Sequence, residues 1–289
     1  MKPGRLRIYL GYASGVGKTH AMLDAARAAA ARGRRVLVGP VDAHGSTEME
    51  ALLAALAEQP LVEVCRDVEK PDRFELQAAL ERKPDLVLID QLAHTNAPGS
   101  PHHKRWQDVA DLLAAGMEVW STLNIEEIES QSEVVAQITG VPVRDTVPDR
   151  VFDEAAEVEL VDLPPEELLR RVRKARLRRA ARGDGTATAS LKRENLVALR
   201  ELAMRRVADR VGREAQVVRF GGAHDAERTP GQRLLACIDS SPRSAEVMWT
   251  ARQMASAMHV EWEAVHVDTG EDRTREDGRW RGLARNIEI

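Results

Sequence analysis

A glycine-rich segment near the N-terminus holds the residues whose types and spacing best suit chemistry. Residues 11–20 read GYASGVGKTH, between an apolar run typical of a strand and a periodic segment typical of a helix. Glycines let successive backbone N–H groups point at phosphate oxygens, and a helix N-terminus adds a favourable partial charge. In such a loop Lys18 bridges the β- and γ-phosphates of a nucleotide, and the Thr19 hydroxyl binds Mg²⁺. The predicted nucleotide-binding residues are Ser14, Gly15, Val16, Gly17, Lys18, Thr19 and His20.

The loop departs from the usual phosphate-binding pattern at one position. The first glycine of that pattern would fall at Tyr12, whereas this sequence has Gly11, one residue earlier. The alternative interpretation is a glycine-rich turn that carries a surface lysine. The strand–loop–helix setting favours phosphate binding.

A second candidate element is the apolar run Leu86-Val87-Leu88-Ile89, which ends in Asp90. An acid at the tip of a buried strand beside a phosphate-binding loop can hold the magnesium ion together with Thr19. The next residue, Gln91, carries an amide, which can position a water molecule but cannot accept its proton. We therefore expect slow ATP hydrolysis or none. The alternative is that Gln91 merely faces solvent.

Further polar residues follow predicted strands, at the edge where parallel sheets bind ligands. These candidates for sensing or coupling, of which the first two fit a plain turn equally well, are Asp42, His44, His94 and Asn124. The histidines have no spacing that defines a ligand set, so we predict no transition-metal site. The sequence lacks an Asn-Lys-x-Asp segment for guanine recognition, which favours adenine and hence ATP with Mg²⁺.

The elements that must position these residues alternate along the N-terminal part of the chain. Apolar runs predict strands, and segments with helical periodicity predict helices. The alternation indicates an α/β fold with a mostly parallel sheet that is flanked by helices, as in P-loop NTPases. The predicted strands are residues 6–10, 35–41, 86–89 and 117–123, and the predicted helices are residues 18–32 and 106–115, the latter capped by Gly116.

A helical extension follows. Acids dominate residues 148–167, and all the charged residues of 168–182 are bases. The basic segment 170–182 could contact an anionic membrane surface, but a solvated helix face neutralised by the acidic neighbours is the simpler interpretation. The predicted elements here are a helix that begins at Pro164-Pro165, a loop at residues 183–189 and an amphipathic helix at residues 191–212.

A second α/β unit begins after a predicted linker, residues 214–232. Two strands, residues 234–238 and 261–267, flank a helix at residues 243–258. Residues 233–289 are too few for an independent α/β domain, so we predict that this unit is incomplete.

Composition narrows the classes of function. The net charge of −4 and the 3% aromatic content argue against nucleic-acid binding. No run approaches the roughly 20 apolar residues that a membrane helix needs. Cys65 and Cys237 are far apart and fit a reducing compartment, so we expect a cytoplasmic protein.

The motifs together resemble a known family. They read GVGKTHAML at 15–23, AHG at 43–45, LAHTNAPGS at 92–100, KRWQD at 104–108, TVPD at 146–149, VDLPP at 161–165 and LRELA at 199–203. In these segments residues 1–213 resemble the N-terminal cytoplasmic region of KdpD, the sensor histidine kinases of the Kdp potassium-transport system. Residues 233–268 are similar to the start of a universal stress protein-like domain, which follows in the same family.

The resemblance implies a regulatory, ATP-binding sensor module that modulates the kinase/phosphatase balance of a histidine kinase. Its partners would be a histidine kinase core and a response regulator, in cis or in trans. A homodimer is a further possibility, since the sequence does not define the oligomeric state. It would lie at the cytoplasmic face of the inner membrane. The family's four membrane helices and kinase core are missing from this sequence, which fits either a fragment or a shortened relative. The resemblance also implies Glu where Asp42 and Gln91 stand.

Two other functions remain open, as does the question of whether the chain is an enzyme. One is a free-standing P-loop ATPase or small-molecule kinase, against which Gln91 argues. The other is a sensing module in which residues 233–289 bind a nucleotide second messenger such as cyclic di-AMP.

Overall fold

The computed structural model describes residues 3–41, 46–64, 73–181, 192–220, 234–239, 241, 243–258 and 262–266. The chain forms two compact units, Met1–Gln216 and Val217–Ile289. The predicted loop at residues 183–189 and most of the predicted linker, residues 221–232, lie outside the described residues.

The first unit is built on a six-stranded sheet in which every pairing is parallel. Its order is β3-β2-β4-β5-β1-β6. The sheet confirms the predicted α/β class. The strands are β1 (Leu6–Gly11), β2 (Val36–Val38), β3 (Val62–Val64), β4 (Leu86–Ile89), β5 (Glu118–Asn124) and β6 (Glu157–Leu160).

Eight helices and one 3-10 turn, Ile125–Glu127, accompany these strands in the described residues up to Phe220, and the last four residues of the eighth helix belong to the second unit. The first and fourth helices begin and end within one residue of the predicted bounds. The last one runs to Phe220, so residues 214–220 of the predicted linker are helical. The helices are α1 (Lys18–Ala31), α2 (Thr47–Ala57), α3 (Leu76–Arg82), α4 (Arg105–Ala114), α5 (Glu129–Thr139), α6 (Asp149–Asp153), α7 (Pro165–Ala181) and α8 (Arg193–Phe220).

Alternation along the strands divides the core between the two faces of the sheet. Ile8 and Leu10 of β1 join the cluster that includes side chains from α3 to α8, whereas Tyr9 packs on the opposite face with side chains of α1 and α2. The four residues of β4 are all fully buried, as a strand covered on both faces requires.

The sequence analysis did not predict the edge strand β6, because its glutamates are uncommon in strands. Glu157 and Glu159 alternate with Val158 and Leu160, and both carboxylates pair with Arg7 of β1, at 3.2 and 2.7 Å from Nη2. Arg7, which is far from β6 in sequence but adjacent to it in the sheet, thus compensates the charge of these acids. Composition alone cannot show such a partner.

The acidic region is neutralised mainly by α8 rather than by the basic segment of α7. The buried Arg206 donates to Asp153 at 2.8 Å and to Asp149 at 3.2 Å, and its guanidinium lies 4.6 Å from the ring centroid of Phe152. Arg200 likewise pairs with Asp162. The Arg206 contacts fix α8 against α6, and the Arg200 contact fixes it against the segment between β6 and α7.

The second unit contains a strand–helix–strand arrangement close to the predicted one. Its parallel strands are β7 (Leu234–Cys237) and β8 (Trp262–Val265), and α9 (Arg243–Met258) connects them in sequence. Over the described ranges of both units, no helix is long and apolar enough to cross a membrane.

Replacing Arg206 tests the attachment of α8 to α6. We expect Arg206→Ala to lower the free energy of unfolding by about 2–3 kcal/mol, because it leaves two carboxylates without their buried partner. The exposed Arg205, which pairs with Glu201 on the same helix, supplies the control; Arg205→Ala should cost less than about 0.5 kcal/mol. Urea denaturation followed by circular dichroism measures both variants. Equal losses would contradict this assignment.

Candidate nucleotide-binding site

The strand order brings three chain segments together at one edge of the sheet. Because β5 lies between β1 and β4 and all three strands are parallel, their carboxyl ends meet there. The glycine-rich loop follows β1, Asp90 follows β4, and Asn124 ends β5. In open parallel sheets this edge is where ligands bind.

Close packing and backbone geometry explain the glycines of the loop. A Cβ atom on Gly11 would lie 2.6 Å from Val16 Cγ2 and 2.9 Å from Lys18 Cδ, so a larger residue there would force these side chains to shift. Gly15 and Gly17 have φ values of 91° and 113°, which are strained for other residues. The displaced first glycine is therefore the residue that the close approach requires.

Tyr12, which stands where the usual first glycine would fall, is used as an anchor. Its ring is fully buried, and its hydroxyl donates to the carbonyl of Leu163 at 2.7 Å. Burial raises the pKa of Tyr12 to about 12. The departure from the usual pattern thus ties the loop to the segment that precedes α7.

Lys18 is a buried cation at the first residue of α1. The residue is only 8% exposed. Its Nζ donates to Asn124 Oδ1 at 2.6 Å and to the Ala13 carbonyl at 3.3 Å. Burial lowers the pKa of Lys18, against the opposing effect of nearby carboxylates. A buried ammonium beside the N-terminus of a helix can attract an anion.

Thr19 and Asp90, which the sequence analysis gave as candidate magnesium ligands, contact each other. The Thr19 hydroxyl lies 3.1 and 3.2 Å from the two oxygens of the buried Asp90 carboxylate. Thr122 of β5 also donates to Asp90. The carboxylate is thereby oriented from α1 and β5 and presents hard oxygen atoms, which Mg²⁺ prefers.

Gln91 occupies an unusual backbone conformation for a residue other than glycine, with φ 58°. Its N–H donates to Asp90 Oδ1 at 3.1 Å and to Thr122 Oγ1 at 3.0 Å. Two acceptors therefore hold the strained turn that ends β4. The structure shows how Gln91 is placed, and its part in positioning water stays a prediction.

Two acids that the sequence analysis missed lie close to Lys18. Glu127 accepts from the Asn124 backbone N–H at 2.6 Å and from Asn124 Nδ2 at 3.2 Å, and thus orients the amide that contacts Lys18. Burial raises the pKa of Glu127 to about 7 and that of Glu126 in the same direction. The capping spacing Asn-x-x-Glu after a buried strand is the sequence signal that could have indicated Glu127.

Comparison with known protein families shows which family the chain belongs to. The family model described as KdpD, osmosensitive K⁺ channel His kinase sensor domain, matches residues 2–211. The chain belongs to the KdpD family.

Relatives in that family match nearly the whole chain. A sensor protein KdpD from Clostridium acetobutylicum is 40% identical over 95% of this chain, and one from Escherichia coli is 41% identical over 92%. The chain spans only 30% of the length of each of these two. It spans 77% of a putative sensor protein KdpD from Synechocystis, which is 36% identical over 94% of this chain.

Likenesses among solved structures are weaker. The flagellar accessory protein FlaH from Methanocaldococcus jannaschii matches with a TM-score of 0.30 at 15% identity, covering 47% of this chain and 69% of its own. The genome packaging NTPase B204 of Sulfolobus turreted icosahedral virus 2, in complex with AMP, matches with a TM-score of 0.35 at 15% identity, covering 65% and 90%.

The remaining predicted residues of this KdpD-family chain lie in different surroundings. Ser14 and Gly15 are exposed, Val16 is buried in the core, and His20 is exposed with Nε2 3.9 Å from Glu48. Asp42 and His44 lie outside the described residues.

His94 lies in the turn after Gln91, where its backbone N–H donates to the Gln91 carbonyl at 3.0 Å. Lys104 and Thr95 lower the pKa of Asp145 by hydrogen bonding, and His94 contributes to the same shift. Among the residues that the structure describes, no group of three or more His, Cys, Asp or Glu side chains could hold a metal ion.

The pKa of Glu127 predicts a pH-dependent contribution to stability. The folded chain keeps this proton up to about pH 7, whereas an unfolded glutamate loses it near pH 4.3. Unfolding then releases a proton between these values, so the free energy of unfolding falls as pH rises through this window. We expect the stability of wild type relative to Glu127→Gln to decrease from pH 5 to pH 7. Urea unfolding at several pH values tests this, and a constant difference would contradict it.

Proposed function

We propose that the first unit is an ATP-binding regulatory module of a KdpD-type sensor kinase. The observation that carries the proposal is the buried Lys18 ammonium at the start of α1. The next residue, Thr19, contacts the Asp90 carboxylate. These groups match the needs of a nucleotide polyphosphate and its magnesium ion.

The present hydrogen-bond partners of Lys18 could be replaced by a phosphate group. Its acceptors, Asn124 Oδ1 and the Ala13 carbonyl, are neutral oxygens. A phosphate oxygen carries negative charge and adds a direct Coulomb attraction to the ammonium, which these neutral oxygens do not supply. A phosphate that reaches Lys18 would therefore compete well with Asn124.

Magnesium fits the neighbouring pair. Thr19 Oγ1 and the Asp90 carboxylate offer oxygen ligands from two different elements, and Mg²⁺ commonly binds through one or two such groups plus phosphate oxygens. When bound, the ion would neutralise phosphate charge. The residues of this chain contribute by holding that ion and the phosphates at fixed positions.

The regulatory part of the proposal rests on the family and on Gln91. An amide at that position cannot act as the base that activates water, so a bound ATP would persist and report its own presence. Occupancy would bias the kinase/phosphatase balance of a histidine kinase core and its response regulator. Such a bias requires that ATP prefer one conformation of the module over another.

A second candidate function, ATP hydrolysis, is favoured by the carboxylates after β5. A pKa of about 7 at Glu127 lies in the range that suits a general base at neutral pH. Both oxygens of Glu127 already accept from Asn124, however, and this assigns it a positioning role. Glu126 is the carboxylate left for such chemistry.

The second messenger alternative depends on residues 233–289, of which the structure describes β7, α9, β8 and a few neighbouring positions. A universal stress protein-like identity for this unit remains a proposal, as do the homodimer and the contact of residues 170–182 with anionic lipid.

Removing the Lys18 charge tests the nucleotide site. We expect Lys18→Ala to weaken Mg-ATP binding at least about 30-fold, because it removes a charge-assisted hydrogen bond in a buried position. Arg27→Ala is the matched control, since Arg27 lies on the same helix in an exposed pair with Asp24. Calorimetric titration measures the affinities. Unchanged binding in Lys18→Ala would show that the site is wrongly assigned.

Phosphate release in the same samples separates the two candidate functions. Lysine-dependent ATP binding without turnover would support the regulatory module. Rapid turnover that is lost in Glu126→Gln would instead support hydrolysis, and it would contradict the role inferred from Gln91.

The magnesium pair is tested by Asp90→Asn. We expect this variant to lose most of the Mg²⁺ dependence of ATP affinity, because the amide removes a negative charge and one of two oxygen ligands. Asp85→Asn, an exposed position that precedes the same strand and pairs with Arg35, serves as the control. Titrations of ATP with and without Mg²⁺ give the ratio of affinities for each variant. An unchanged ratio in Asp90→Asn would place the metal elsewhere.

A further inference from the structure

One face of the basic helix α7 lies directly against the glycine-rich loop. Leu168 Cδ1 lies 3.3 Å from the position that a Cβ atom would take on Gly15, and Arg171 Nη1 lies 3.9 Å from that position on Gly17. Residues three apart share a helix face, so Leu168 and Arg171 approach the loop together. The two glycines leave room for that approach.

Contacts at the base of α7 hold this face in place. The buried hydrogen bond from the Tyr12 hydroxyl ends on the carbonyl of Leu163, two residues before α7 begins. Leu168 itself is fully buried in the core. Moving α7 off the loop would therefore break a buried hydrogen bond and expose an apolar side chain, both of which are unfavourable.

The Arg171 guanidinium is accessible to a ligand. Its side chain is 53% exposed and pairs with Glu167 at 3.7 Å. Exposed ion pairs of this length are weak and exchange easily for a better acceptor. Its neighbour Arg170 is 76% exposed and pairs with the same glutamate at 3.4 Å, but of these two arginines only Arg171 lies within 4 Å of the position that a Cβ atom would take on Gly17.

We propose that Arg171 is a phosphate-binding residue of the nucleotide site, reaching from α7 to the polyphosphate held by the loop. The proposal rests on the proposed ATP-binding function. Gly17 directly precedes Lys18, so a guanidinium near Gly17 lies close to the residue that we propose binds the phosphates. A planar guanidinium donates two parallel hydrogen bonds to phosphate oxygens, which an ammonium cannot do.

This assignment gives the basic segment a role that the sequence analysis did not consider. Arg171 would add a second cation to Lys18 from an element on the far side of the loop. Phosphate binding would then add to the contacts that already hold α7 against the loop.

The test compares arginine variants of the full 289-residue chain with two probes, Mg-ATP and Mg-pyrophosphate. We expect Arg171→Ala to weaken both about tenfold, as the loss of a partly exposed, charge-assisted hydrogen bond would, with an unchanged midpoint of urea unfolding. Arg171→Lys should recover part of the affinity, because it keeps the charge and loses the bidentate geometry. Arg170→Ala is the matched control and should bind both probes like wild type.

The outcomes separate this proposal from the one on which it rests. If Arg171→Ala binds Mg-ATP like wild type while Lys18→Ala does not, the nucleotide site stands and the Arg171 assignment is wrong. If Arg170→Ala and Arg171→Ala lose affinity equally, only the general charge of the helix matters, and the assignment is again wrong. If wild type binds neither probe, both proposals fall.

Discussion

The burial of one ammonium group at the edge of an apolar sheet constrains everything around it. Lys18 is almost inaccessible to solvent, and a buried charge is tolerated only where polar partners compensate for lost hydration. Asn124 and the Ala13 carbonyl supply those partners, and Glu127 in turn orients Asn124. The strand order that places β5 beside β1 is therefore an electrostatic requirement as well as a packing arrangement.

Local patterns in the sequence were sufficient for the parts of the site that lie in one segment. The loop at residues 11–20, the Asp90 strand and the bounds of α1 could be predicted, because glycines, apolar runs and helical periodicity act over short distances. The pairing of β6 with β1 could not, since it depends on Arg7 meeting acids some 150 residues away. The Asn-x-x-Glu spacing indicates the contact of Glu127 with Asn124 locally, but its relation to Lys18 appears only when Lys18 is placed opposite Asn124.

Tyr12 shows why a departure from a motif need not weaken it. The close approach that usually demands the first glycine occurs here at Gly11, which releases Tyr12 to enter the core and bond to Leu163. Sequence comparison with the usual pattern indicated only a displaced glycine. The structure shows that the displacement joins the loop to α7, so the loop and the basic helix share a buried connection.

A regulatory role requires that nucleotide occupancy be felt away from the phosphates, and the contacts around Lys18 offer a route. The carbonyl of Glu127 accepts from Val147 at 2.7 Å, and Asp149, two residues on, pairs with Arg206 of α8. Contiguity alone does not establish coupling; an element with two alternative arrangements must exist. The Lys18 ammonium has two such arrangements if phosphate competes for it: one in which it bonds to Asn124 and one in which it bonds to phosphate. In the second arrangement Asn124, which Glu127 orients toward Lys18, loses its partner. The free energy available for regulation is the difference between those two arrangements, not the affinity for ATP itself.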